Sequence, residues 1–264
     1  MTSSKDYTDR VCIVTGSSSG IGACTVKKLA EYGAKVVVTG RDAVRIAQVA
    51  DECKQLSPNG YEPLQVVCDL TKSDDIRRLV QSTIDRFEKI DLVAANAGVF
   101  SSALIDNPKL VETFDFTMLT NVRPVLRLLQ LCVPYLEQSK GAIVVTSSML
   151  SFKPIAIYMP YCMSKAALDI MTKCLAIDLG PKGIRVNSVN PAIVNNNFIA
   201  RSLGLDFDQM SIELNKAGQS YPLGRLATVD DIANLILFLG SEDAAFITGQ
   251  NICPDGGSTF AGDS

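Results

Sequence analysis

Tyr161 and Lys165 have the clearest potential for chemistry, because they lie four positions apart. In a helix this spacing places both side chains on one face, so that an ammonium group lies beside a phenol. At about 5 Å and an effective dielectric constant of about 20, the charge favours the phenolate by about 3 kcal/mol. The pair is therefore predicted to exchange a proton near working pH, with the pKa of the phenol lowered.

A serine thirteen residues before Tyr161 is the natural partner of this pair. Residues 142–146 form an apolar run typical of a buried strand, which Ser147 and Ser148 follow directly. A hydroxyl at a strand end can hold a carbonyl oxygen near the phenol. A Tyr-x-x-x-Lys pair also arises by chance, so this interpretation needs support from elsewhere in the chain.

A glycine turn between a predicted strand at 10–15 and a predicted helix at 23–32 indicates a nucleotide-phosphate site. Glycines let the backbone approach a pyrophosphate, and the amino end of the helix offers free N–H groups. The spacing is Gly-x-x-x-Gly-x-Gly, and a turn that serves packing alone is the alternative. The predicted contacts are Gly16, Ser18, Ser19, Gly20, Ile21 and Gly22.

The next strand ends where such folds contact the adenosine ribose. The residues there are Gly40 and Arg41, which favours a 2′-phosphate and hence NADP(H) over NAD(H). Asp42 keeps NAD(H) open as the alternative, because it could face the ribose while Arg41 points into water. Asp69 ends the third strand, where it could accept a hydrogen bond from the adenine amino group or be only a polar loop residue.

The composition excludes several classes of site. The chain has no histidine, so Ser-His-Asp and Cys-His catalysis and histidine metal ligation are excluded, and no metal site is predicted. The net charge of −3 argues against nucleic acid or an anionic membrane as a partner. The eight cysteines form no Cys-x-x-Cys pair, so reduced thiols in the cytosol, and a cytoplasmic protein, are expected.

Strand and helix patterns alternate along the whole chain, which predicts an α/β fold: a single doubly wound, Rossmann-like domain with a parallel sheet. We predict a flexible segment at 1–9 and a dinucleotide-binding catalytic domain at 10–264. A long helical pattern covers 108–136, with Pro124 and Pro134 as boundaries or bends. Residues 195–222 are the least regular, and we expect a substrate-loop insertion there.

The chain resembles the short-chain dehydrogenase/reductase family over about residues 8–260. The matching pieces are individually modest, but their order and spacing together are specific. They are the turn from Thr15 to Gly22, Asp69-Leu70, Ala95-Asn96-Ala97-Gly98, Asn121, Ser148, Tyr161 to Lys165, and Asn190-Pro191.

The resemblance implies a role for each matching residue. Tyr161 gives a proton to a carbonyl, Ser148 hydrogen-bonds the substrate oxygen, Lys165 holds the nicotinamide ribose, and Asn121 positions a water. The resemblance also implies about seven parallel strands flanked by helices, and assembly as a homodimer or homotetramer through the long helices. Further cofactor contacts are expected at Leu70, Asn96, Gly98, Pro191 and Val194.

Three positions depart from the family pattern. Ala192 replaces the glycine expected after Pro191, and Asn196 replaces the threonine that contacts the carboxamide. Met163 replaces the usual alanine within the Tyr-Lys motif, where its side chain can face the core or a subunit interface.

By family position, mostly apolar residues border the substrate pocket. They are Met149, Leu150, Phe152, Tyr158, Phe198 and part of 199–212. We therefore expect an NAD(P)-dependent oxidoreductase that interconverts a ketone and a secondary alcohol on an uncharged lipophilic small molecule.

Two other functions stay open. One is a 3-oxoacyl carrier-protein reductase, for which Arg123 and Arg127 are weak candidates for a docking surface. The other is a nucleotide-binding regulatory protein without chemistry, against which the intact Ser148, Tyr161 and Lys165 argue.

Overall fold

Alternating strands and helices build one parallel sheet in the computed structural model, which describes residues 6–260. The strand order is β3-β2-β1-β4-β5-β6-β7, and every neighbouring pair is parallel. The predicted doubly wound sheet with seven parallel strands is therefore confirmed. The strands are β1 (Val11–Val14), β2 (Lys35–Gly40), β3 (Leu64–Val67), β4 (Leu92–Ala95), β5 (Ala142–Thr146), β6 (Arg185–Val189) and β7 (Asn251–Ile252).

Helices cover both faces of the sheet. Those in the described part of the chain are α1 (Gly20–Glu31), α2 (Ala43–Leu56), α3 (Ser73–Phe87), α4 (Leu110–Asn121), α5 (Arg123–Ser139), α6 (Met159–Leu179), α7 (Phe198–Leu203), α8 (Phe207–Gln219) and α9 (Val229–Gly240). Helices α1, α2 and α9 pack on one face, and α3, α5 and α6 pack on the other.

The strands read as continuous apolar runs because both faces of the sheet are buried. Successive residues point to opposite faces, so Ile13 lies in the core with α3 and α5, whereas Cys12 and Val14 lie in the core with α1 and α9. Each such side chain, when fully buried, contributes about 1.5–3 kcal/mol to folding. The sheet is therefore a rigid support for the loops at its carboxyl edge.

The amino-terminal segment differs from the predicted flexible segment at 1–9. Tyr7 is fully buried, its N–H donates to the carbonyl of Tyr32 at 3.0 Å, and its hydroxyl donates to the carbonyl of Leu237. A buried aromatic ring with a satisfied hydroxyl fixes the chain there, so packing begins before residue 10. Residues 1–5 and 261–264 lie outside the described residues.

The predictions for two helical regions have different outcomes. The pattern at 108–136 is two helices that meet at Val122, next to the boundary predicted at Pro124, whereas Pro134 lies inside α5. The segment at 195–222 is not irregular, because it contains α7 and α8. Asp206 caps α8 by accepting a hydrogen bond from the N–H of Gln209 at 2.9 Å.

Candidate active site

The carboxyl ends of β1, β4 and β5 bring the predicted site residues to one edge of the sheet. Thr15, directly after β1, joins this edge to the turn after β4. Its Oγ1 accepts from the N–H of Asn96 at 2.9 Å and of Ala97 at 3.0 Å, and its carbonyl accepts from Asn96 Nδ2 at 3.0 Å. Asn96 is thereby committed to holding the two turns together, and its contact with a cofactor stays a prediction.

The glycine turn after β1 has the shape that a dinucleotide phosphate requires. Gly16 has a φ of +66°, which favours glycine, and a Cβ at Gly22 would lie 2.5 Å from the Gly16 carbonyl oxygen. Ser19 precedes α1 and forms no side-chain cap with it. The N–H groups of the first turn of α1 therefore face a close, glycine-lined turn, which fits a pyrophosphate group.

The two candidate ribose contacts after β2, Arg41 and Asp42, have different surroundings. Asp42 caps α2, because its Oδ1 accepts from the N–H of Val44 at 3.1 Å, and it forms an ion pair with Arg45 at 3.0 Å. Arg41 is exposed, and within residues 6–260 it forms no ion pair. At Gly40 a Cβ would lie 2.7 Å from Ser18 Oγ, so this strand end packs directly on the glycine turn.

Asp69 and Leu70 follow β3 beside this region. Asp69 accepts from the hydroxyl of Thr71 at 2.8 Å, and this hydrogen bond is the main reason why the pKa of Asp69 lies below its usual value. Leu70 is partly buried and packs against the core of α3 and α5. Their contacts with adenine stay predictions.

Gly98 ties the turn after β4 to the proposed catalytic residues. A Cβ there would lie 3.2 Å from Asn121 Oδ1 and 3.8 Å from Lys165 Nζ. An added Cβ would crowd the Asn121 side chain and reach ordinary contact with Lys165, so the close packing favours glycine at position 98.

The segment after β6 crosses the same edge of the sheet. The carbonyl of Pro191 accepts from the N–H of Met149 at 3.0 Å. Val194 forms a bridge with Ala227 through the N–H of Asn195 and the carbonyl of Ile193, so the N–H of Val194 is not part of this bridge. The N–H of Val194 is therefore suited to the predicted contact with nicotinamide.

Asn196, which stands where the family has threonine, uses its side chain locally. Its Oδ1 accepts from the N–H of Phe198 at 2.8 Å. A Cβ at Gly20 would lie 3.8 Å from Asn196 Nδ2. Asn196 thus holds the first residue of α7 and lies beside the glycine turn.

Tyr161 lies on α6, buried next to Ser148. Burial raises the pKa of Tyr161 well above its usual value, and a hydrogen bond from Ser148 opposes this increase. The sequence predicted a lowered pKa because the Coulomb estimate took no account of burial. In the folded chain Tyr161 is a protonated phenol at neutral pH, suited to donating a proton.

Lys165 lies one turn further along α6, and its side chain extends toward the Tyr161 ring. Its Nζ lies 5.5 Å from the centroid of the Tyr161 ring and donates to the carbonyl of Thr146 at 2.8 Å. Burial lowers the pKa of Lys165 from 10.5 to about 8, while the carboxylate of Asp169 opposes this effect. The ammonium form therefore predominates at neutral pH.

The two serines at the end of β5 have different surroundings. Ser148 Oγ accepts from the N–H of Leu150 at 3.2 Å, which leaves its hydroxyl proton available to Tyr161 or a substrate. Ser147 Oγ donates to the carbonyl of Lys165 at 3.1 Å, so it fastens α6 to the strand end. This geometry favours Ser148 over Ser147.

Asn121 is buried at the end of α4, where its side chain fixes three segments. Its Oδ1 accepts from the N–H of Val99 at 2.8 Å. Its Nδ2 donates to the carbonyl of Val99 at 2.9 Å and to Ser164 Oγ at 3.1 Å. This arrangement holds α4 and α6 against the turn after β4, and the expected water relay stays a prediction.

Phe100 and Asp169 belong to the site but were not singled out from the sequence. The Phe100 ring lies 4.6 Å from the Tyr161 ring and 4.7 Å from the Tyr158 ring. Asp169 Oδ2 accepts from Asn190 Nδ2 at 2.8 Å. The spacing of four between Lys165 and Asp169 is a signal that could have identified Asp169, whereas no local pattern indicated Phe100.

The expected pocket residues converge beside Tyr161, with one exception. Phe100, Leu150, Tyr161 and Cys162 form a small buried cluster, against which Met149, Tyr158, Phe198, Ile199 and Leu203 pack. Phe152 is 53% exposed and is not a member of this cluster. The wall beside the phenol is therefore apolar and aromatic.

Neither a membrane-spanning helix nor a metal-ligand cluster is found in the described part of the chain. Within residues 6–260, no helix is both long enough and apolar enough to cross a membrane. The same part of the chain has no group of three or more Cys, Asp or Glu side chains placed to hold a metal ion.

Comparison with known proteins extends these observations over almost the whole chain. The family profile described as "Enoyl-(Acyl carrier protein) reductase" matches residues 16–259. The human protein "Dehydrogenase/reductase SDR family member 4" is 33% identical over 261 residues, with 98% of this chain and 90% of that protein covered. "L-xylulose reductase" from Caenorhabditis elegans is 34% identical over 259 residues, with 97% and 98% covered.

A solved structure has a similar fold over almost the whole chain. The crystal structure of a short-chain dehydrogenase/reductase of unknown function from Caenorhabditis elegans with cofactor has a TM-score of 0.90 at 31% identity, and 97% of each chain is covered. The sheet and these relatives together identify the chain as an α/β oxidoreductase, an enzyme rather than a protein that only binds nucleotide. The chain belongs to the short-chain dehydrogenase/reductase family, whose members use NAD(P) cofactors.

Proposed function

We propose that the protein is an NADP-dependent oxidoreductase that interconverts a ketone and a secondary alcohol on an uncharged, lipophilic small molecule. The observation that carries the proposal is the meeting of Ser148, Tyr161 and Lys165 beside an apolar wall at the carboxyl edge of the sheet. When bound, nicotinamide supplies or accepts the hydride.

The side chains of the protein then handle the proton. In reduction Tyr161 donates its phenolic proton to the carbonyl oxygen, and in oxidation the phenolate takes the proton back. Ser148 donates a hydrogen bond to the same oxygen, and Lys165 holds the nicotinamide ribose. The raised pKa of Tyr161 keeps the phenol protonated at neutral pH, so a proton is present to donate, although the phenol is a weaker acid than a free one.

Tyr161→Phe tests this mechanism. The ring keeps its packing against Phe100, but the proton is removed, so turnover should fall by at least about a hundredfold while NADPH binding changes less than about twofold. Tyr158→Phe is the matched control, since Tyr158 packs on the same Phe100 ring. Unchanged turnover in Tyr161→Phe would refute the mechanism.

The preference for NADP(H) rests on the end of β2. Asp42 is occupied with capping α2 and pairing with Arg45, whereas Arg41 is exposed without an ion pair in the described residues. A 2′-phosphate would give Arg41 the anion that it lacks.

Arg41→Asp tests the preference by fluorescence titration of NADPH and NADH. The wild type should bind NADPH more tightly, and the substitution should reverse that order. Arg86→Asp on α3 makes the same charge change and should leave the order unchanged. A wild-type preference for NADH would contradict the assignment of Arg41.

The substrate class is proposed from the cluster around Tyr161. Phe100, Leu150 and Phe198 supply apolar surface there. Neutral aryl and long-chain ketones should therefore be reduced with higher kcat/KM than keto acids of similar size. A keto acid as the best substrate in such a panel would overturn this part of the proposal.

A carrier-protein thioester is the second candidate substrate, because the matching family profile is described by an acyl-carrier-protein activity. Arg123 is exposed at the start of α5, and Arg127 donates to Gln130 Oε1 at 2.6 Å. A 3-oxoacyl carrier-protein substrate should then be preferred over the same acyl chain on a short thiol. Arg123→Glu should abolish that preference.

Assembly as a homodimer or homotetramer is proposed from the outer faces of three helices. Large apolar side chains are exposed on α4, α5 and α6, namely Val111, Phe116, Leu119, Leu126, Met163, Ile170 and Ile177. Light scattering should give two or four times the chain mass, and a monomer at micromolar concentration would contradict the proposal.

A cytoplasmic location is proposed because all eight cysteines are free thiols, which a reducing compartment preserves. Fractionation of cells that express the tagged full chain would test it, and recovery in an organelle would refute it.

A further inference from the structure

Arg201, on the short helix α7, contacts the glycine turn from a distant part of the chain. Its Nη1 donates to Ser19 Oγ at 3.1 Å. Ser19 immediately precedes α1 and makes no cap with its own helix, so its hydroxyl is available to this guanidinium. Within residues 6–260 Arg201 forms no ion pair.

Two further guanidinium groups lie close to Arg201. Partial burial lowers the pKa of Arg201, and the charges of Arg45 and Arg41 lower it further. Within residues 6–260, Arg45 forms an ion pair with Asp42 at 3.0 Å, whereas Arg41 and Arg201 form none. Like charges repel, so three arginines that share one ion pair leave positive charge beside Ser19 that an added anionic group would offset.

The same helix also contacts the substrate side of the site. The Phe198 ring lies 6.4 Å from the Tyr161 ring, and Ser202 Oγ accepts from the N–H of Phe100 at 3.1 Å. Helix α7 therefore joins the glycine turn to the wall of the pocket beside the phenol.

We propose that Arg201 binds a phosphate group of the dinucleotide together with Arg41, and that this contact holds α7 against the substrate pocket. The inference rests on the proposed function. It adds to the site a phosphate-binding residue that comes from the substrate-covering segment rather than from the β-strand edge. It also predicts that cofactor binding orders the wall contributed by Phe198.

The first test is equilibrium binding of NADPH and NADH to Arg201→Met, followed by nicotinamide fluorescence at constant ionic strength. Loss of a charge-assisted contact should weaken binding about tenfold. Arg86→Met, which removes the same charge from the last turn of α3, should leave binding unchanged. Weakening confined to NADPH would identify the 2′-phosphate, and equal weakening of both would identify the pyrophosphate.

The outcomes separate this inference from the proposed function. If the wild type binds neither dinucleotide, the proposed function fails. If the wild type binds and Arg201→Met binds equally well within about twofold, only the role of Arg201 is refuted.

Hydrogen exchange supplies a second readout that does not depend on turnover. Saturating NADPH should slow amide exchange in residues 198–203 of the wild type, and it should slow exchange much less in Arg201→Met at equal saturation. Equal protection in the two proteins would overturn the proposed coupling to α7. Matching thermal unfolding of the two proteins without dinucleotide would exclude a general folding defect.

Discussion

Burial of the Lys165 ammonium opposes folding, so Lys165→Met should stabilise the protein at neutral pH while removing its activity. The side chain is only 3% exposed, and burial lowers its pKa from 10.5 to about 8. This difference corresponds to about 3 kcal/mol of folding free energy. Methionine fills similar space without a charge.

The pH dependence follows from the direction of the pKa change. Below pH 8 lysine is protonated in both the folded and the unfolded chain, so the folded state carries the full cost of the buried charge. Between pH 8 and 10.5 the unfolded chain binds more protons, and the free energy of unfolding of the wild type rises. Above pH 10.5 the cost has disappeared.

Methionine also loses the hydrogen bond to the carbonyl of Thr146, which Lys165 donates at 2.8 Å. An unpaired buried carbonyl costs about 1–2 kcal/mol. The net expectation is that Lys165→Met is about 1–2 kcal/mol more stable than the wild type at pH 7. As the pH approaches 10.5, the difference in the free energy of unfolding between Lys165→Met and the wild type should shrink and then change sign.

Urea unfolding of both proteins from pH 6 to 10, at one protein concentration and in reductant, measures this difference. Titration of the other groups largely cancels between the two proteins. Lys173→Met, an exposed lysine on the same helix, should change stability by less than about 0.5 kcal/mol. A difference between wild type and Lys165→Met that stays constant across this pH range would refute the reasoning.

Two further substitutions test the packing of the site. Asn121→Ala removes three hydrogen bonds and should lower the free energy of unfolding by about 2–4 kcal/mol, measured by denaturant unfolding; a loss below about 0.5 kcal/mol would contradict this. Gly22→Ala places a Cβ 2.5 Å from the Gly16 carbonyl oxygen, so it should distort the turn and weaken NADPH binding at least about tenfold. Gly180→Ala is its control, because nothing lies within 4 Å of the added Cβ. Equal NADPH binding by the two glycine variants would refute the tight turn.

The sheet could be predicted from the sequence because its strands are buried on both faces. Apolar runs such as 142–146, separated by helical patterns, leave few other arrangements. The order and spacing of motifs placed the expected site residues directly after strands, and parallel strands end on the same side of a sheet. The family resemblance made that prediction specific.

The predictions made from the sequence failed where a contact joins distant parts of the chain. Tyr7 follows no periodic pattern, and only its packing near Leu237 shows that it is fixed. Helix α7 has six residues, which is too short for a helical period to stand out. The bond from Arg201 to Ser19 joins residues 182 positions apart, and local sequence carries no signal of it.

The pKa of Tyr161 shows how burial can reverse an estimate made from spacing. The spacing of four correctly placed Lys165 near the phenol, at 5.5 Å from its ring, but the same burial that brings the two together penalises both charged forms. The phenol is therefore held protonated and the lysine is weakened as a cation. A buried ammonium and three clustered guanidinium groups are both unfavourable within the chain alone, and both are adjacent to the proposed dinucleotide site. An anionic dinucleotide that contacts them should thus stabilise the fold by more than its contact area implies, because it relieves repulsion as well as adding contacts.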